Sequence, residues 1–361
     1  MLKGIRIVEF EGIGPGPFAG MMLADLGAEV IVVERPVSAN PTVEGDNLLN
    51  RGKKSIVLDL KSPDDLRVGK ALIASADALI EGARPGVMER LGLGPKPSHA
   101  ANPKLVYGRI TGWGQSGPRA TQAGHDYNYI ATSGALWYAS PPEHAPLTPA
   151  TLVGDIGGGA LYLVAGILAG LLQAGHSGKG TVVDAAIVDG SAHMMALLMS
   201  MAPSGNLVTQ RGQSLLDGPH WSRVYTCADG RHLSVQCLEA KFYAIFLDRL
   251  GLSDDPRFAE QYNVAIWPAQ TRQLAQMFAR EPMQHWADLF EGTDACVAPV
   301  LPPQEAAADP HMAARAVWQE GPLQPAPAPR FDGERTTPGP VPMKDADGDT
   351  LRAELREAGL L

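Results

Sequence analysis

Cysteine is scarce. Cys227, Cys237 and Cys296 are the only three among 361 residues, and neither their number nor their spacing fits a disulfide framework or a paired metal-ligand set. Basic charge is scarce too: 30 Lys and Arg stand against 39 Asp and Glu, a net charge of −9. A chain so acidic is ill-suited to wrapping nucleic acid or lying on an anionic membrane, although a local basic patch remains free to hold a phosphorylated ligand. The opening MLKGIRIVEF lacks the apolar run and cleavage site of a signal peptide. None of the nine histidines falls in an H-E-x-x-H pairing, so no metal is expected, and no internal repeat is visible. A reducing, cytoplasmic setting is the expectation.

What is present is a large apolar fraction, 45%, with 40 glycines and 30 prolines, enough for buried cores and many turns. Short apolar strands at Ile5–Phe10, Glu29–Val33, Ser55–Leu58, Ala78–Ile80 and Leu105–Arg109 alternate with helical stretches such as Phe18–Leu26 and Leu66–Ala74. That alternation predicts βαβ units and a mostly parallel sheet covered on both faces. The uncharged run Ile156–Ala174 is of borderline length for a membrane span, and its glycines and lack of a close basic N-terminal flank favour a helix buried on all sides, with Gly166 and Gly170 admitting a close neighbour. A strand at Thr181–Asp184 and a helical run Ala185–Met201 follow. From Val224 the pattern changes to a hairpin with an Asp229-Gly230 turn, the amphipathic helix Leu238–Leu250, two further helical segments and a strand at Ala295–Val300. The predicted division is 1–186 with 330–361 as a large α/β domain, 187–223 as a linker, 224–301 as a small α+β domain and 302–329 as a Pro/Ala-rich return segment.

Gly12-Ile-Gly-Pro-Gly-Pro-Phe-Ala-Gly20 sits where a dinucleotide fingerprint would, with Glu34 about 20 residues further on, but its glycine spacing is wrong and Pro15 and Pro17 remove two backbone donors. A rigid turn packing a helix close on the sheet fits better. Arg35 ends the second predicted strand, Arg51 clusters with Lys53 and Lys54 before the third, Lys61 follows it, and Arg84 and Arg90 follow the fourth, near where a parallel sheet opens its ligand crevice; they suit a polyanion of nucleotide size or simply a solvated surface. His125 and Asp126 lie in a Gly-His-Asp, either a local turn or an acid/base site. Asp155 opens the apolar helix, as an N-cap or as part of a site that stabilises a developing anion. Glu239 begins a helix, where a carboxylate also complements the dipole.

The ordered blocks GIGPGPFAGMMLADLGAEV, RPGVMERLGLGP, TGWGQSGPRATQAGHDYNYIATSGAL, GDIGGGALYLVAGILAGL, SGKGTVVDAAIVDGSA, RGQSLLDG, LEAKFYAIFLDRLGL and GTDACVAPVL resemble the family III CoA-transferase superfamily, and within it the α-methylacyl-CoA racemase branch. The resemblance runs from Gly4 to about Arg330. It implies an α/β fold with a Rossmann-like large domain and a small α+β domain, interlocked as a homodimer whose active site joins the large domain of one subunit to the small domain of the other. It further implies that His125 and Asp155 exchange the α-hydrogen of a 2-methylacyl-CoA, with Glu239 arriving from the other subunit. Arg35, Lys61 and Arg90, with Arg51 and Arg84 as additions, are implied to hold the CoA phosphates. Asp126, Tyr129 and Gly154 are assigned to substrate binding. Met194, Met195 and Met199 either form an adaptable acyl surface or pack a core, and Trp221, in a Pro219–Arg223 stretch that departs from the branch, is expected to narrow the acyl pocket. No cofactor is implied, because CoA is part of the substrate. The rival within the family is a CoA-transferase with Asp155 as nucleophile.

Overall fold

A computed structural model describes residues 1–37, 47–319 and 321–361. They divide into two units, the first built from 1–135, 149–194 and 325–361, the second from 136–148 and 195–324.

In the first unit the apolar runs become six parallel strands: β1 (Arg6–Phe10), β2 (Glu29–Glu34), β3 (Lys54–Val57), β4 (Ala78–Glu81), β5 (Val106–Thr111) and β6 (Thr181–Ala186). They are ordered β3-β2-β1-β4-β5-β6. Neighbouring residues of one strand are buried on opposite faces. Ile7, Val30 and Val106 meet α1 (Pro15–Asp25) and the long helix Leu161–Ser177, while Val8, Ile31 and Leu79 meet α2 (Pro63–Ala74) and the C-terminal helix Gly348–Glu357. Burial on both sides explains why the strands read as continuous apolar runs instead of alternating ones. Two short helices, α3 (Val87–Arg90) and α4 (Pro95–Ala101), connect β4 to β5, and α5 (Asp126–Ser133) follows β5. The strand order is that of a doubly wound sheet, whose ligand crevice lies past the strand C-termini at the switch in order between the paired β1 and β4.

Leu161–Ser177, α6, is not buried on all sides. Leu163, Val164, Ile167 and Gly170 face the sheet, but Leu161 and Leu172 are exposed, the latter at 68%. The two glycines do admit a close neighbour: a Cβ at Gly166 would lie 2.4 Å from Val183 and one at Gly170 2.7 Å from Val106. The predicted helix Ala185–Met201 is also corrected. Its first two residues complete β6, α7 runs from Ile187 to Met194, and α8 (Ala196–Met199) is a separate turn.

The second unit has a three-stranded antiparallel sheet of β7 (Ser222–Thr226), β8 (His232–Gln236) and β9 (Val297–Pro299), with Gly230 at φ 76° in the expected hairpin turn. Helices α9 (Ala240–Arg249), α10 (Trp267–Phe278) and α11 (Met283–Phe290) cover it over an aromatic core that includes Trp221, Phe246, Phe258, Phe278 and Phe290. The domain boundaries differ from the expected ones in three places. The linker divides, 187–194 joining the first unit and 195–223 the second. The return segment changes unit at 325, not at 330. Residues 136–148 belong to the second unit because the Arg211 guanidinium donates to the carbonyls of Ala139, Ser140, Pro141 and His144, and the Trp137 indole donates to Thr209.

Candidate active site

The chain leaves β1 through the glycine-proline turn predicted to be rigid. Gly14 caps α1 at φ 73°, a left-handed geometry that glycine adopts without steric cost, and a Cβ there would come 3.7 Å from Asp155 Oδ2. The turn therefore closes over a carboxylate.

Asp155 is not an N-cap. The helix begins earlier, at Leu152, and its first nine residues, Leu152–Ala160, form a π-helical segment with Ile156 N–H donating to Thr151 O at 3.0 Å. Such segments are uncommon and gather at functional sites. Thr151, at φ 66°, enters the segment in the left-handed region, a strained setting for a β-branched residue. Asp155 is half-buried. Loss of water, together with the neighbouring Asp126 carboxylate, pushes its proton affinity up to about 6, while His125 acts in the opposite direction. A carboxyl group titrating there takes or gives a proton near neutrality.

His125 is exposed and stands immediately before α5, where its backbone N–H donates to Asn128 Oδ1 at 3.0 Å. The adjacent Tyr129 hydroxyl donates to Gly124 O, and burial and the Asp155 charge both raise the phenol. The peptide on either side of His125 is thus held by the helix that follows it. Asp126 takes a different role from the one expected. It is buried, and its carboxylate accepts from Asp155 N–H at 2.9 Å and Thr151 N–H at 3.1 Å, so it serves the backbone of the π-helical segment. Gly154 is buried against it, and a Cβ there would sit 2.3 Å from Asp126 Oδ1.

Arg35, Lys61, Arg84 and Arg90 are exposed and follow β2, β3 and β4 on the C-terminal side of the sheet. Arg51 is corrected. It is 3% exposed, its guanidinium pairs with Asp25 at 2.5 Å and donates to Pro325 O at 2.8 Å, and it is committed to the fold. One element went unnoticed in the sequence. Arg109 in β5 pairs with Glu81 of β4 at 2.8 Å and with Glu89 at 2.9 Å, mooring the short α3 that carries Arg90. Nothing in the spacing of those three residues signals the triad, because it forms across neighbouring strands.

Met194 is exposed and lies against Gly157, where a Cβ would be 3.3 Å from its Cε; Met195 is half-buried and Met199 exposed. Trp221 is a second correction. It is 1% exposed in the core of the second unit, its indole donates to Gln261 O at 2.9 Å, and it meets Trp267 edge to face, so it lines no pocket in this unit. Its neighbour His220 is equally buried, bonded to the Tyr243 hydroxyl at 2.7 Å. Glu239, also in the second unit, is exposed at the N-cap of α9 and its side chain forms no capping bond. Of the three acid/base candidates, the fold brings together His125 and Asp155.

A two-unit chain with a β3-β2-β1-β4-β5-β6 sheet, and His125 near Asp155 in its first unit, belongs to a defined class. The family model for CoA-transferase family III matches residues 2–351, and the chain belongs to that family. It is 40% identical to the mouse (Mus musculus) alpha-methylacyl-CoA racemase, over 99% of this chain and 93% of that one. It is 30% identical to the acetyl-CoA:oxalate CoA-transferase of Acetobacter aceti, over 98% and 95% of the two chains. Among solved structures, it is similar to a CAIB/BAIF family protein from Brucella suis, with a TM-score of 0.81, 27% identity and 98% of each chain covered.

Proposed function

We propose that this protein is a racemase that interconverts the (R) and (S) forms of 2-methylacyl-CoA thioesters. The observation that carries the reading is the closeness of His125 to Asp155, whose carboxyl group is raised to about 6. An α-hydrogen beside a thioester is acidic only because the enolate spreads its charge onto oxygen. Inversion needs one group to remove that hydrogen and another to return it from the opposite face. Asp155 serves the (R) hydrogen and His125 the (S) hydrogen, each acting as base in one direction and acid in the other. Backbone N–H groups at a helix start stabilise an oxyanion where its charge develops, and α5 and the π-helical segment both begin here. No cofactor takes part in these steps.

Arg35, Lys61, Arg84 and Arg90 hold the CoA phosphates in this reading, and the methionines Met194, Met195 and Met199 accommodate the acyl chain. The working form is a cytoplasmic homodimer in which Glu239 of the partner subunit reaches the Asp155 site. The family resemblance also admits CoA transfer with Asp155 as nucleophile, through a mixed anhydride. His125 favours the first reading, since inversion needs a second group to move the proton and acyl transfer through Asp155 does not. Incubating single enantiomers of a 2-methylacyl-CoA panel with the pure protein and no acceptor, followed by chiral chromatography, tests this directly. Racemisation is expected; turnover only with an added carboxylate acceptor, with an Asp155 adduct trapped by hydroxylamine, would replace the proposal with the transferase.

A further inference from the structure

We propose that Asp126 is a positioning residue for this reaction: its buried carboxylate clamps both ends of the turn that carries Asp155 and so fixes where that side chain stands. The first N–H groups of any helix lack partners within it. Here two of them, on Thr151 and Asp155, converge on the two oxygens of one side chain at 3.1 and 2.9 Å. The bond to Asp155 is made by the backbone of the very residue whose carboxyl group does the chemistry. The clamp explains why glycine stands at 154, because any side chain there would overlap Asp126 Oδ1 at 2.3 Å. It also explains how a strained residue, Thr151, is held at φ 66°.

A second consequence is electrostatic. Asp126 places a fixed negative charge beside Asp155 and so contributes, after desolvation, to its raised proton affinity. The other groups packed around the turn act differently. His125, before α5, lowers that affinity, and Tyr129 on α5 is coupled to Asp155. From the turn before α1, Gly14 approaches, a Cβ there lying 3.7 Å from Asp155 Oδ2, and α1 itself, Pro15–Asp25, has no ionisable residue in its first turn. From α7, Ser191 meets Gly158, and His193 is bonded to the Tyr162 hydroxyl at 2.6 Å.

The inference rests on the racemase reading only for its assay, so two kinds of measurement separate them. In the unaltered protein, amide hydrogen exchange of peptides spanning residues 150–156 is expected to show Thr151 and Asp155 protected like the interior of α6; free exchange would overturn the clamp whether or not any variant folds, and even if the protein proves not to be a racemase. In the second, α-deuterium exchange from the (R) thioester is followed against pH. Asp126→Asn keeps the shape and removes the charge, so the acid limb is expected to move down by about one pH unit. Its kcat is expected to fall about tenfold with KM changed less than about threefold, the signature of lost alignment. Asp126→Glu keeps the charge but is one methylene longer, so kcat falls with the limb unmoved. An unmoved limb in Asp126→Asn, or a loss confined to KM, would mean that Asp126 does not position Asp155.

Discussion

The two units of this protein use buried polar groups in opposite ways. In the first, beside buried ion pairs that serve the fold, Arg51–Asp25 and Lys53–Glu9, one buried carboxylate is set against the site: Asp126 accepts from the Asp155 N–H. In the second, buried polar groups are silenced by aromatic packing. His220 is enclosed, and burial, followed by the charge on Arg223, pushes it down to about 3, leaving it neutral. The first unit sets a buried charge beside a group that titrates at about 6, and the second holds its buried histidine neutral. The contrast teaches that depth of burial alone does not mark a functional group; what matters is whether its shifted titration falls where the chemistry runs.

The contrast breaks most severely if the proton-transfer pair is removed. His125→Ala and Asp155→Asn are each expected to lower racemisation by about 10²–10⁴-fold while circular dichroism and melting stay close to those of the parent. In the second unit the order reverses: Trp221→Ala is expected to cost about 3–5 kcal/mol in denaturant unfolding, as for other large buried aromatics. If instead Trp221→Ala altered acyl preference with little change in stability, the residue would have to be returned to the acyl pocket.

The basic residues sharpen the same division. Arg51→Gln leaves Asp25 buried without its partner, so a destabilisation of about 3 kcal/mol is expected in unfolding experiments. Arg90→Gln is expected to raise KM for the CoA thioester by about tenfold, or about 1.4 kcal/mol, with melting unchanged. The effect that is smallest at neutral pH, and emerges only in acid, concerns His220. His220 has an ordinary value of 6.5 and a folded value of about 3, so below 6.5 the unfolded chain binds a proton that the folded chain refuses. Its contribution to stability is therefore complete above pH 6.5 and is lost as pH falls toward 3. His220→Gln is expected to flatten that part of the stability curve, which urea unfolding at a series of pH values reads directly.

Much of the first unit was legible because its signals are local. Continuous apolar strands separated by helices predict a parallel sheet, and the Gly-Pro turn after β1 packs its helix close on that sheet, a Cβ at Gly16 lying 3.5 Å from Ile110. Asp155 and His125 stood out because glycines flank them at element ends. What could not be read arises from distance along the chain. The partner that buries Arg51 is 26 residues away, and residues 136–148 join the second unit through a guanidinium some 70 positions later. The π-helical segment was hidden for another reason. Its hydrophobic pattern is that of an α-helix, and the acceptors that make the wider turn possible come from Asp126, which the sequence presents as a neighbour of His125. Trp221 misled because a bulky departure from a family pattern signals equally a changed pocket and a changed core.

A racemase moves a hydrogen between the faces of one carbon and transfers nothing to a second molecule. Mass spectrometry of a single 2-methylacyl-CoA enantiomer after incubation with the enzyme in heavy water, without any acceptor, tests it. One deuterium is expected at the α-carbon in both the recovered and the inverted thioester; recovery of unlabelled starting enantiomer by an enzyme that binds it would rule out α-proton exchange.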